Sequence, residues 1–128
     1  MDASQKLEGT KLTDFMPVDM VPELQIVDMK PGTGETVARG ATITAHYTGA
    51  LCKDGTIFQS SLDFGQPVTF GLNQVIKGWT EGVPGMKVGG IRRLIIPAAM
   101  AYGANSPAPN IPANADLVFD IELVQIDG

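Results

Sequence analysis

Two residues of this 128-residue chain could in principle do covalent chemistry together: Cys52, its only cysteine, and His46, its only histidine. A thiol becomes a strong nucleophile when a neighbouring base takes its proton, and His46 is the base on offer. His46 falls on the polar side of an alternating stretch, however, and is read as a surface or strand-pairing residue, with Cys52 a structural or exposed thiol. A single cysteine also excludes an internal disulfide and a cysteine-rich metal site. No other acid–base pair and no ligand cluster stands out, so neither metal nor cofactor is expected. The conspicuous stretch is instead VIKGWTEGVPGM (75–86), where the only tryptophan is flanked by Gly78 and Gly82, residues that weaken a helix.

One Trp, two Tyr and five Phe make eight aromatic residues. Tyr47, Phe58, Phe70, Trp79, Tyr102 and Phe119 lie on faces expected to turn inward or beside prominent loops. Aromatic residues bury for packing energy, so a filled core is the plain reading of these six. An aromatic-lined pocket is the alternative that periodicity leaves open.

The elements that must position these rings follow from composition and period. Fifteen glycines and nine prolines, with 44% apolar residues, describe a folded chain of many short elements and turns, and the length suits one domain. Residues 1–20 are polar and aperiodic and read as a flexible arm, with Phe15, Met16 and Val18 as docking residues; the domain is expected over 21–128. ELQIVDM predicts a first strand near 24–29. ATITAHYTGAL (41–51) alternates, with Ile43, Ala45, Tyr47, Gly49 and Leu51 inward, and predicts a long half-buried strand. IFQSS (57–61), PVTF (67–70), IRRLIIP (91–97) and LVFDIELVQI (117–126) complete an antiparallel sheet. Arg92 and Arg93 are expected to split into one solvated side chain and one structural ion pair. Only Ile76, Trp79, Val83 and Met86 are spaced by three and four, predicting a helix of about two turns stopped at Pro84. So short a helix needs packing to hold it. The fold class is α+β: a curved antiparallel sheet wrapped on one short helix.

A formal charge of −5 and a pI near 4.6 leave no basic stripe to neutralise phosphates, so nucleic acid is not an expected partner. No stretch approaches the roughly 20 apolar residues that span a bilayer, and the first residues lack the pattern of a secretory leader. The compartment is left open, with the cytoplasm as default and export or tethering if a leader or anchor precedes this sequence.

Six blocks, HYTG (46–49), GTIFQSS (55–61), VIKGWTEGV (75–83), MKVGG (86–90), AYG (101–103) and LVFDIEL (117–123), stand in the order and spacing of one family. Over roughly residues 22–127 the chain resembles the FKBP-type peptidyl-prolyl cis-trans isomerases, in their single-domain form. The resemblance implies a half-barrel whose open end is an apolar pocket for a proline ring. Trp79 would be its floor and Tyr47, Phe58, Phe70 and Phe119 its walls, joined by Val75, Ile76, Tyr102 and Ile111. The Ile76 N–H and the Tyr102 hydroxyl would bond carbonyls of the bound peptide. The implied partners are proline-containing polypeptides, with the protein a monomer.

The chain departs from the family pattern beside the pocket. Gln59 stands where an aspartate is usual, Phe64 where a basic residue is frequent, and Val68 where an aromatic is frequent. Glutamine still accepts through its carbonyl, but it is neutral, longer and also a donor. The resemblance therefore implies retained isomerase activity at an altered rate, and macrolide ligands such as rapamycin bound more weakly than at an aspartate-bearing site. The alternative is a chaperone-like or proline-peptide binding module with weak or no activity. The loop GANSPAPNIPANA (103–115), with three prolines, reads as a stiff rim above the pocket.

Overall fold

The alternation of residues 42–51 becomes the central strand of the computed structural model, which describes residues 7–12, 15–105, 107 and 109–127. Strands β1 (Gln25–Lys30), β2 (Thr42–Leu51), β3 (Ile57–Ser60), β4 (Val68–Gly71), β5 (Ile91–Ile96) and β6 (Leu117–Ile126) form one antiparallel sheet, ordered β1-β5-β6-β2-β3, with β4 also on β2. One edge of β2 runs along β6 throughout; the other is shared, with β4 beside Thr42–Ala45 and β3 beside Thr48–Ala50. Register shifts at Thr44/Ala45 and Gly49/Ala50 bend the strand between its two partners, as bulges do. The sheet curls as expected, and the helix α1 (Lys77–Gly82) lies in its concave side.

Ile43, Ala45, Leu94, Ile96, Leu117, Ile121 and Leu123 are buried on that concave side with Trp79 and Val83. α1 covers six residues, and Ile76 is extended at its N-cap (φ −60°, ψ 151°). Met86, expected on the helix, lies beyond it and is buried all the same. The two glycines of the helix explain its depth. A Cβ at Gly78 would stand 2.6 Å from Ile96 side-chain carbons, and one at Gly82 would stand 2.8 Å from Leu94 Cδ2. Only hydrogen at these positions lets the helix backbone rest on β5.

The arginine expectation is corrected. Arg92 and Arg93 are both buried and both paired, because they point to opposite faces of β5 and each face is covered. Arg92 Nη1 donates to the carbonyls of Gly82 (2.8 Å) and Pro84 (3.2 Å), and its Nε donates to Asp28 (2.7 Å). It thus satisfies carbonyls that the end of a helix leaves open and places positive charge at that end. Arg93 makes two bonds to the Asp120 carboxylate, of 2.6 and 2.8 Å.

The second face of the sheet is covered as well. Ala50, Cys52, Ile57 and Val118 form a second buried cluster with Val21, against which Leu7, Leu12, Phe15 and Ile95 pack. The period-2 reading gave this side of β2 to water; its apolar end is covered instead by Leu7, Leu12, Phe15 and Val21. Of the expected docking residues, Phe15 packs here with the Arg93 guanidinium 5.6 Å from its ring centroid. The Val18 N–H donates to the Cys52 carbonyl, and Met16 is exposed. Residues 1–6, 13 and 14 of the expected arm lie outside the described residues.

Candidate active site

The concave face opens at one end into a cavity of about 650 Å³. Its lining contains all ten residues singled out from the sequence: Tyr47, Phe58, Gln59, Phe70, Val75, Ile76, Trp79, Tyr102, Ile111 and Phe119. Gln74 and Pro107 line it too and were missed. Gln74 directly precedes the recognised VIKGW block, and Pro107 belongs to the proline-rich rim, so the signals were proximity alone.

Each wall comes from a different element. β2 supplies Tyr47, β3 Phe58 and Gln59, β4 Phe70, the helix Trp79, and β6 Phe119. The rings meet edge to face around the indole: Trp79 lies 4.8 Å from Phe70, 5.4 Å from Phe119 and 5.8 Å from Tyr47, centroid to centroid. Phe58 meets Phe119 at 5.7 Å and 85°. Such offset and perpendicular contacts suit the ring quadrupoles and fix the cavity's shape. Gly49 makes room for them, since a Cβ there would stand 2.6 Å from Phe58 Cζ and 2.7 Å from Phe119 Cε2.

Polar groups are few. The Ile76 carbonyl accepts from the Trp79 and Thr80 N–H groups, while its own N–H has no partner among the described residues. The Thr80 hydroxyl donates to the Leu72 carbonyl at 2.6 Å, tying the helix start to the end of β4. Burial pushes the Tyr102 hydroxyl above its ordinary pKa. Burial, and secondarily the nearby Tyr102, does the same to Tyr47. Both remain neutral donors at physiological pH. Trp79 Nε1 is buried without a partner among the described residues. Gln59 is exposed on the rim, and its amide makes no hydrogen bond to the Tyr47 hydroxyl. None of the twelve lining residues carries a charge at neutral pH.

The nucleophile reading has no structural basis. Cys52 is fully buried in the second cluster, and burial, with Asp116 nearby, pushes its thiol up to about 12. His46 Nδ1 lies 2.9 Å from Ser61 Oγ, which in turn accepts the Tyr47 N–H at 2.8 Å. The histidine therefore braces the back of the Tyr47 strand.

The comparisons with known proteins agree with this geometry. The family model described as FKBP-type peptidyl-prolyl cis-trans isomerase matches residues 33–124. An FK506-binding protein of Neisseria meningitidis serogroup B is 50% identical over 105 residues, 80% of this chain and 95% of that protein. The FKBP-type peptidyl-prolyl cis-trans isomerase FkpA of Aeromonas hydrophila is 47% identical over 125 residues, 98% of this chain and 43% of that protein. The crystal structure of a peptidyl-prolyl cis-trans isomerase from Pseudomonas syringae pv. tomato superposes with a TM-score of 0.75 at 34% identity, covering 87% of this chain and 80% of that one. With a family match across most of its length and half of the aligned residues shared with a relative it nearly spans, this chain belongs to the FKBP-type peptidyl-prolyl cis-trans isomerases.

Proposed function

We propose that this isomerase turns X–Pro bonds of unfolded or flexible polypeptides in the cavity above Trp79. The observation that carries the reading is an uncharged, aromatic-walled cavity edged by two donors without a partner among the described residues, the Ile76 N–H and the Tyr102 hydroxyl. An X–Pro bond resists rotation by about 18–20 kcal/mol and exchanges over tens to hundreds of seconds unaided. No covalent bond need break. At the twisted transition state the amide loses conjugation and becomes less dipolar than when planar. A dry aromatic site therefore disfavours the planar form relative to the twisted one, while water favours the planar form. The Ile76 and Tyr102 donors hold the flanking carbonyls, so that rotation is confined to the one bond. Each tenfold acceleration requires about 1.4 kcal/mol of such differential stabilisation.

The same cavity takes macrolides of the FK506 and rapamycin class, with lower affinity than an aspartate-bearing site because Gln59 offers no charge-assisted bond. The protein works as a monomer on proline-containing chains and does not bind nucleic acid. A second reading, a proline-peptide binding module, is favoured by one observation: Gln59 makes no bond to Tyr47 across the pocket. NMR exchange on an Ala-Pro peptide separates the two. Acceleration over the uncatalysed rate that a macrolide abolishes supports the isomerase site; peptide binding without acceleration supports the module.

A further inference from the structure

β3 carries Phe58 and Gln59, one wall of the cavity, and it ends the sheet on its side. Residues 7–12 run along its outer edge. The Gly9 N–H donates to the Ile57 carbonyl, the Ile57 N–H to Thr10 and the Leu12 N–H to Gly55, each at 2.8 Å. Beside this strip the Asp63 carboxylate accepts the N–H groups of Leu7 (2.8 Å) and Glu8 (3.1 Å). The N-terminal segment is thus fastened to the back of the wall by both backbone and carboxylate.

A third piece joins at the same place. Asn110, in the rim loop next to Ile111, donates from Nδ2 to the Phe58 carbonyl at 2.8 Å and to Glu8 Oε2 at 3.4 Å. One amide thereby links the rim, the wall and the N-terminal segment. Two of the loop's backbone bonds, from the Asn105 N–H to the Tyr102 carbonyl and from the Asn114 N–H to the Gly103 carbonyl, are internal to the rim and its base. They shape the loop without setting its distance from β3.

We infer that Asn110 is a positioning residue which, braced by residues 7–12 behind β3, sets the gap between the Phe58 wall and the Ile111 rim. That gap selects the side chain accepted before proline. The inference rests on the cavity being the site of isomerisation. A wider mouth admits bulky residues and loses the grip on small ones, so the effect belongs in KM and differs from peptide to peptide. A merely structural residue would lower every rate alike.

The test is kcat and KM for Gly-Pro, Ala-Pro, Leu-Pro and Phe-Pro peptides with the full chain: wild type, Asn110→Ala, Asn110→Asp and Asp63→Ala. Asn110→Ala is expected to change the Phe-Pro to Gly-Pro ratio of kcat/KM by about fivefold, the worth of one hydrogen bond, with kcat on Gly-Pro preserved. Asn110→Asp keeps the size but turns a carboxylate toward the Phe58 carbonyl and Glu8, and shifts the ratio in the same direction. It also serves as the readout if the alanine variant fails to fold. Asp63→Ala, which unfastens Leu7 and Glu8, gives a smaller shift of the same sign. An unchanged ratio in the Asn110 variants, or one common factor of loss on all four peptides, overturns the inference. An unchanged ratio in Asp63→Ala alone overturns the part given to the N-terminal segment. A wild type no faster than the uncatalysed reaction removes the cavity reading itself, and this inference with it.

Discussion

Phe70 and Trp79 form the closest ring pair of the cavity, with centroids 4.8 Å apart and planes at 63°. β4 and the helix are therefore locked together through the pocket floor, and the indole is a structural and a functional group at once. Trp79→Ala should cost about 3–5 kcal/mol, close to the whole stability of a small domain, and would confuse loss of activity with loss of fold. Trp79→Phe keeps a ring against Phe70 and removes Nε1, which has no partner among the described residues. We expect its kcat/KM to fall by about tenfold, with a smaller drop in the urea midpoint than the alanine variant shows.

Gly78 sets two effects against each other. Alanine should favour the helix by about 1 kcal/mol at an exposed position, yet here its Cβ would stand 2.6 Å from Ile96 Cδ1 and Cγ2. Overpacking of a close-packed contact costs about 1–3 kcal/mol, so the clash wins and Gly78→Ala destabilises. Combined with Ile96→Ala, which clears the space, it should cost less than the two single changes added. Chemical denaturation of the four proteins measures that coupling, and additive values would mean that the helix does not rest on β5 as described.

These two residues also mark how far sequence alone reaches. The spacing of Ile76, Trp79 and Val83 locates the helix, and the glycines four apart explain its closeness to the sheet. The family blocks contain eight of the pocket residues, the resemblance adds Phe70 and Ile111 from between them, and all ten line one cavity. What escaped was long-range and polar. Arg92 caps the helix from a strand ten residues later, and Asn110 reaches Phe58 across 52 positions. A charged or amide side chain has no period that reveals its partner. The cover over Ala50, Cys52 and Val118 escaped for a related reason, since period-2 reasoning assigns one face of a strand to water unless a second layer is known.

Gln59→Asp restores the carboxylate usual in the family at an exposed rim position, where it will be ionised at pH 7. A charge-assisted hydrogen bond is roughly twice as strong as a neutral one, so rapamycin-class affinity should rise by about five- to tenfold, measured by calorimetry. Peptide kcat/KM should rise with it, because the added field acts where the amide loses its dipole. A gain in macrolide affinity with no change in rate would separate ligand binding at Gln59 from catalysis.

The last prediction concerns pH. No lining residue of the cavity titrates between pH 5 and 9, since the pKa values of Tyr47 and Tyr102 lie above the ordinary 10.0, so kcat/KM should be flat over that range. Stability should not be flat above it. The buried Cys52 thiol is pushed from 9.0 to about 12, so the folded state holds its proton more tightly than the unfolded chain. Its contribution is fully present below pH 9 and is lost as pH rises toward 12, at up to about 1.4 kcal/mol per pH unit. Tyr47 and Tyr102 act in the same sense, beginning near pH 10. Cys52→Ala removes the thiol's share and keeps that of the tyrosines. Its urea midpoint should therefore fall less steeply than the wild type's between pH 9 and 11, whatever constant offset the lost sulfur leaves at pH 7. Equal slopes would show that Cys52 ionises freely in the folded protein, and that Leu7, Leu12, Phe15 and Val21 do not seal the second cluster from water.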